Sequence, residues 1–251
     1  MNSEQTSGIV TWPSANKKRK AIAIYIDFLL FSASVTLTAW ALGKLDPGLS
    51  AAPLWIQIVL FAVLEVVLLK AVSWSPGYWG MGIYRSSERG SADNLVVEPR
   101  IKNSERWWTI LFGVLAVLEG TKSAVRWALW HPPIPFMGFQ LPEMASVVIS
   151  VIIGCALCVV GLLVLRCHHG AAVAGVALYG IALVSSILSY DLWASWAALD
   201  VVARREYQGV PVRESGVEFM QQFVPPASVI APALMVVWLG FIIRRFRRQA
   251  V

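Results

Sequence analysis

The sequence predicts an all-α fold, a polytopic helical membrane protein with six transmembrane helices and both termini in the cytoplasm. Hydrophobic residues make up 57% of the 251-residue chain and charged residues only 14%, whereas a soluble domain carries about a quarter charged residues. A mean hydropathy of +0.63 confirms the apolar excess. Apolar runs of about 20 residues, long enough to cross the hydrocarbon core as helices, recur along the chain.

Six apolar runs meet this length requirement. We expect the fifth, which is the longest, to leave the membrane after Asp191, and Pro232 in the sixth predicts a kink. Ala171 and Gly175 at the start of the fifth form a small-x-x-x-small pattern, which favours close helix packing. The stretch 200–225 is expected to form a surface helix or a capping loop, and Asp191 and Asp200 are expected to be solvated at or beyond the outer boundary. The predicted spans are 21–42, 53–72, 107–130, 145–165, 171–199 and 227–243.

Basic residues determine the predicted orientation. Most of the 21 Lys and Arg residues lie in segments 1–20, 73–106, 166–170 and 244–251, which share one side of a six-span protein. Loop 131–144, on the other side, contains no Lys or Arg. The positive-inside rule therefore places both termini in the cytoplasm.

Composition and motifs also exclude several classes of function. The net charge of +6 comes from clusters beside the spans, as membrane topology requires, so we expect no nucleic-acid partner. Cys155 and Cys158 are expected to be buried in an apolar helix, and Cys167 lies in a short connector with His168 and His169. We therefore predict no disulfide and no metal site. No catalytic motif is present, so we expect neither enzymatic activity nor a cofactor.

Charged residues inside spans are the candidate functional residues, because each is costly in the hydrocarbon core. Asp27 lies roughly 9 Å from the inner boundary of span 1, and Glu65 roughly 10 Å from that of span 2, at about 1.5 Å per residue. Lys20 and Lys70 are their nearest charge partners along the chain. Two hypotheses remain open: the carboxylates bind a proton or cation, or the charges lock the two helices together.

Span 3 contains a third candidate. Glu119, Lys122 and Arg126 share one helical face, and Glu119 lies near the middle of the membrane. Arg126 is close enough to the outer boundary to extend its charge into the interface. For Glu119 and Lys122 a structural ion pair is favoured over a transport site, and both interpretations are retained.

Residues 17–130 resemble the RDD family of bacterial membrane proteins. In that family the first helix opens with a basic residue about seven positions before an intramembrane Asp, the layout of Lys20, or of Arg19 shifted by one, and Asp27. A T-x-G-K-x-x-x-G-type segment follows the second span, and segment 75–83 is similar, with Gly77 and Gly82 in step and a tyrosine in place of the Lys. The family's second acid would be Glu65 or Glu119. The resemblance implies an integral protein of the bacterial inner membrane, suspected of transporting ligands or ions.

Three regions and two functional hypotheses follow. Residues 1–20 form a cytoplasmic basic tail, 21–130 an RDD-like membrane domain with three spans and the inner loop 73–106, and 131–251 three further spans with a basic cytoplasmic tail. The first hypothesis is a transporter-like protein that binds a proton or cation at an intramembrane carboxylate. The alternative is a non-transporting assembly or regulatory subunit that docks a partner through loop 73–106. Expected partners are the lipid bilayer with a proton or cation in the first case, and a protein partner or homo-oligomer in the second.

Reporter fusions test the predicted topology. A reporter that is active only in the cytoplasm should work when it is fused after Val251 or within 86–94, because both lie on the positively charged side. The same reporter should be inactive within 132–142. Cytoplasmic activity of the 132–142 fusion would contradict the six-span orientation.

Overall fold

A computed structural model describes residues 17–45, 59, 62–63, 67, 75–85, 95–97, 107–130, 133–207 and 209–249. The protein is predominantly helical in this part, which confirms the all-α class and a helical membrane protein. Val59, Ala62, Val63 and Val67 of the second predicted span are helical and exposed, and the rest of that span lies outside the described residues. Five helices in the described part are long and apolar enough to cross a membrane: Lys17–Thr38, Trp107–Val125, Glu143–Leu165, His169–Leu188 and Glu214–Arg247.

Long helices alternate with two small antiparallel strand pairs. Ile83 pairs with Val97 in the first strand pair, and Phe136 with Phe139 in the second. Met137 and Gly138 form the tight turn of the second pair, with φ angles of 49° and 84°. The elements are α1 Lys17–Leu45, α2 Pro76–Gly80, β1 Ile83–Arg85, β2 Leu95–Val97, α3 Trp107–Trp130, β3 Pro135–Phe136, β4 Phe139–Gln140, α4 Glu143–Leu165, α5 His169–Leu188, α6 Tyr190–Tyr207 and α7 Glu214–Gln249.

The long helices give the bundle two distinct ends. At one end α1, α3 and α5 begin and α4 and α7 finish, and this end also holds α2. We name it the basic end, because it carries Lys17, Lys18, Arg166, Arg244 and Arg247. The opposite end holds the β3–β4 hairpin and is named the hairpin end. The predicted tail 1–20 is not wholly separate from the membrane helix, since α1 already begins at Lys17.

Helices α3 and α4 pack backbone to backbone through two pairs of glycines. A Cβ atom added to Gly154 would lie 2.6 Å from the Gly120 carbonyl oxygen, and one added to Gly161 would lie 2.7 Å from the Gly113 oxygen. Both helices repeat glycine every seven residues, so the antiparallel helices meet at two successive levels. Small residues permit such contact, which drives helix association in lipid through van der Waals packing.

A second close pair is formed by α5 and α7. A Cβ atom on Gly175 would approach the Leu239 side chain to 2.9 Å and that of Val160 to 3.1 Å. The predicted small-residue packing face at Ala171 and Gly175 is therefore confirmed. Leu239 is fully buried and lies in the same apolar cluster as Ala172 and Val160.

The fifth predicted span, 171–199, is divided into two helices. Helix α5 ends at Leu188 and α6 begins at Tyr190. The break at Ser189 has a local cause, because its buried hydroxyl accepts a hydrogen bond from the Gly138 N–H at 2.8 Å. The tip of the hairpin is therefore attached where the helix turns.

Helix α6 packs against the first part of α7, which corrects a prediction about Asp200. Trp196, Ala197 and Asp200 recur at helical spacing and are all buried, with Asp200 completely inaccessible. Asp200 was expected to be solvated, and this is wrong because it lies on the packed face of the helix. Asp191, on the opposite side, is exposed as expected.

Helix α7 is much longer than the sixth predicted span, 227–243. Its 36 residues extend over about 54 Å at about 1.5 Å per residue, compared with a hydrocarbon core of about 30 Å. The helix continues through Pro225, Pro226 and Pro232. Near this run the Ser228 hydroxyl donates to the Pro225 carbonyl at 2.8 Å, so the hydroxyl has a partner within its own helix. Residues 200–207 belong to α6 and residues 214–225 to α7, so the stretch 200–225 is helical at both ends.

The glycine contacts predict a sharp difference between two alanine substitutions. Gly154→Ala should destabilise the protein by about 1–3 kcal/mol, because the new methyl group meets the Gly120 backbone. Gly180→Ala on α5 is the matched control, since nothing lies within 4 Å of its Cβ position. It should be neutral or slightly stabilising. Thermal unfolding in detergent measures both, and equal stability of the two variants would contradict the α3–α4 contact.

Candidate functional site

Asp27 is buried on α1 and anchors the segment that precedes the short helix α2. Its side chain is 5% exposed. The Ser75 hydroxyl donates to Asp27 Oδ2 at 2.6 Å, and the Gly77 N–H donates to Oδ1 at 2.6 Å. Ser75 Oγ in turn accepts from the Tyr78 N–H at 3.3 Å as the N-cap of α2. The carboxylate therefore joins α1 to the first turn of α2 and balances the partial positive charge of its amides.

The close approach of α1 and α2 requires glycine at position 77. A Cβ atom there would collide with the Ala23 carbonyl oxygen and lie 2.8 Å from Asp27 Oδ2. Gly82, five residues later, has a φ of 63°, a conformation that glycine adopts without strain. Both glycines on which the family resemblance depends therefore have a physical role.

Helix α2 is also held from the side of α4. The Arg166 Nη1 donates to the Trp79 carbonyl at 3.3 Å, and the guanidinium lies 4.7 Å from the centre of the Trp79 ring. Leu162 packs against Gly80 so closely that a Cβ there would lie 2.9 Å from its Cδ2. The short helix is therefore clamped between α1 and α4 at the basic end.

Arg19, rather than Lys20, shares the buried face of Asp27. Arg19, Ala23 and Asp27 recur every four residues, and each is at most 5% exposed. Lys20 is only partly buried. The sequence offered either residue as the basic partner, and burial distinguishes them.

Glu65 and Lys70 lie outside the described residues. The expected proximity of Asp27 and Glu65 therefore stays a prediction. Among the described residues, segment 75–77 contacts Asp27, and the sequence marked this segment only through the family resemblance of 75–83.

A large cavity of about 1620 Å³ lies between the α3–α4 pair and the α5–α7 pair, which meet beside it where Gly175 approaches Val160. It extends from Trp108 near the basic end to Phe136 and Trp193 near the hairpin end. Several of its lining residues are highly exposed, including Ile152 and Leu234 at 62% each, and both lie well inside their helices, away from the two ends of the bundle. The cavity therefore opens sideways, toward the lipid that surrounds a membrane protein.

Glu119 and Lys122 line this cavity together. Glu119 Oε2 lies 3.9 Å from Lys122 Nζ, and their side chains are 51% and 59% exposed. The predicted ion pair is thus present, at the limit of contact and without burial. Such an open pair contributes little to stability and leaves both groups accessible to a ligand. The Arg126 side chain lies outside the described part of the chain.

Tyr179 on α5 adds a polar group to the cavity that sequence reasoning missed. It is 7% exposed and lines the cavity, and its hydroxyl has no hydrogen-bond partner among the described residues. The Glu119 carboxylate interacts with it electrostatically. Ser150 on α4 and Ser185 on α5 also line the cavity and are buried. The sequence did contain a signal for this group, namely a tyrosine at mid-span depth, but tyrosine also occurs in apolar cores.

The cysteines correct a further expectation. Cys155 is exposed on α4 rather than buried, whereas Cys158 is half-buried and contacts the Val117 carbonyl at 3.7 Å. Within the described ranges, no group of three or more His, Cys, Asp or Glu side chains could hold a metal ion.

Comparisons of the chain with protein-family models, characterised proteins and solved structures find no match. The fold and the cavity define a class, an integral helical membrane protein with a lateral cavity. Any narrower assignment depends on the residues themselves.

Substitutions at Asp27 test its anchoring role. Asp27→Ala leaves the Ser75 hydroxyl and the Gly77 N–H without an acceptor, at a cost of about 1–3 kcal/mol for each buried group. Asp27→Asn should be milder, because the amide oxygen can still accept from Gly77. Asp191→Ala is the matched control, since Asp191 is exposed on α6. Membrane abundance and melting temperature should fall in the order control, Asn, Ala. Wild-type stability of Asp27→Ala would exclude the anchor.

Proposed function

We propose that the protein is a transporter-like membrane protein in which Glu119 is the intramembrane carboxylate that binds a proton or cation. One observation carries this proposal: Glu119 is half-exposed inside the membrane cavity, in loose contact with Lys122. It lies twelve residues into α3, about 18 Å from the start of the helix at about 1.5 Å per residue. Ionisable groups at this depth are costly unless they have a function or a partner.

The two described candidate carboxylates differ in how far their oxygens are already engaged. Each Asp27 oxygen accepts a short hydrogen bond, from Ser75 or from Gly77. These bonds tie both oxygens to the first turn of α2, so an ion that binds there competes with the anchoring of α2 for the carboxylate charge. Glu119 can exchange Lys122 for a proton or cation without displacing any backbone. We therefore assign anchoring to Asp27 and ion binding to Glu119.

The proposal includes a six-span topology with the basic end in the cytoplasm. It is supported by the basic residues Arg166, Arg244 and Arg247, which lie at the same end as the start of α1. Membership of the RDD family, and with it the bacterial inner membrane, is supported by the meeting of Asp27 and Gly77, which the resemblance pairs only in sequence.

A second candidate function is a non-transporting assembly or regulatory subunit. The observation that favours it is the clamping of α2, which is held by Asp27 on one side and Arg166 on the other. This helix lies within the predicted loop 73–106, and its clamping would hold that loop in a fixed position for a protein partner.

Ion flux in reconstituted vesicles tests the first proposal. Glu119→Gln keeps the side-chain shape and removes the charge, so it should abolish proton- or sodium-dependent flux while membrane abundance stays near wild type. Glu143→Gln is the matched control, because Glu143 is an exposed residue of the first turn of α4 that does not line the cavity. It should leave the flux unchanged.

Two other outcomes would contradict an ion site at Glu119. If Glu119→Gln lowers abundance and adding Lys122→Met restores it, the pair is structural, because the second change removes the stranded charge. If abundance and flux are both normal, the assembly or regulatory function is favoured.

A further inference from the structure

A second set of unpartnered polar groups lies toward the basic end of the membrane cavity. Arg245 lines the cavity near the end of α7 and is half-buried. Among the described residues, its Nε and Nη2 atoms have no hydrogen-bond partner, and both atoms are inaccessible. The Trp238 indole N–H, two turns earlier on α7, is in the same condition. A buried guanidinium is unfavourable unless an anion or another acceptor satisfies its N–H groups.

Within the described part of the chain, no acidic side chain of the cavity lining pairs with Arg245. Of the described residues that line the cavity, one is acidic, Glu119, and it already contacts Lys122. Arg244 and Arg247, beside Arg245 on α7, are exposed and add positive charge. A negatively charged group from outside the chain would therefore complement this end of the cavity.

The apolar walls and the volume of the cavity indicate which kind of anion would bind there. Its walls are mainly aliphatic and aromatic, and Val237 and Phe241 on the rim are 57% and 67% exposed. The volume of about 1620 Å³ exceeds the roughly 300–1,000 Å³ of typical small-molecule sites. A small soluble anion would leave these apolar walls unfilled, whereas a lipid chain fills them and can enter from the side.

We propose that the cavity binds an anionic phospholipid from the surrounding bilayer. The Arg245 guanidinium turns its Nε and Nη2 atoms toward the cavity and donates to the headgroup phosphate, and an acyl chain extends along the cavity toward Tyr179. This inference goes further than the proposed function, because it names a class of substrate for the same cavity. For the transport step it rests on the proposed function.

Lipid titrations of the purified full-length protein test the headgroup contact. Native mass spectrometry would compare phosphatidylglycerol with phosphatidylcholine of the same acyl chains. Arg245→Gln should weaken phosphatidylglycerol binding by about tenfold, the scale of one charge-assisted hydrogen bond. Arg247→Gln removes the same charge from an exposed site outside the cavity lining, and it should have less than about a twofold effect. Equal losses in the two variants would overturn the site.

A second pair of variants tests the chain. Ala182→Trp should fill part of the cavity and weaken phosphatidylglycerol binding. Ala177→Trp on the same helix is exposed but does not line the cavity, and it should bind like wild type. Glycerol 3-phosphate, a headgroup without a chain, should not compete. Competition by it, or undiminished binding in Ala182→Trp, would overturn the lipid assignment.

The flux assay separates this inference from the proposed function. Loss of the phosphatidylglycerol preference in wild type, with ion flux still dependent on Glu119, overturns lipid binding alone. Lipid binding that depends on Arg245, with flux insensitive to Glu119→Gln, supports the lipid site and contradicts the ion site.

Discussion

The hydrogen bonds of the Asp27 carboxylate determine the arrangement at the basic end of this protein. A helix as short as α2 has no stability of its own in isolation. It forms because Asp27 accepts from Ser75 and from the Gly77 N–H, and because Arg166 holds the opposite side. The same contacts fix α1 relative to α4, since α2 lies between them. One buried acid therefore connects two spans that are far apart in sequence.

Some helices of the membrane region are in backbone contact, whereas larger side chains hold others apart. The positions of the glycines determine which helices come into contact. Gly120 and Gly154 bring α3 and α4 into backbone contact, and Gly175 brings α5 against Leu239 of α7. Between these pairs, larger side chains such as Trp108 and Phe112 meet Trp238 edge to face toward the basic end. The remaining space forms the cavity, where Glu119 and Tyr179 face an apolar wall.

The sequence predicted the spans well because hydropathy accumulates over some twenty residues. Five of the predicted spans coincide with apolar helices over most of their length, although the span 171–199 continues from α5 into α6. It could not predict the partner of Asp27, because depth places Asp27 and Glu65 at one level but does not show which backbone N–H groups reach a carboxylate. It missed the burial of Asp200 for a related reason, since hydropathy does not record which face of α6 packs against α7. The seven-residue glycine spacing in both α3 and α4 was visible, but its meaning depends on the two helices being neighbours.

Two acids at membrane depth have different environments, and this difference supports separate roles for them. The buried Asp27 carboxylate accepts short bonds from two donors, so its negative charge is stabilised by groups that cannot leave without unfolding α2. Glu119 faces the exposed Lys122 ammonium at 3.9 Å, the limit of contact, so its charge is balanced by a partner that no backbone contact holds in place. When an ion replaces that partner, the Lys122 ammonium is left in a cavity that also contains Arg245. Ion binding at Glu119 would thereby increase the positive charge available to an anionic headgroup, because both sites share one low-dielectric space.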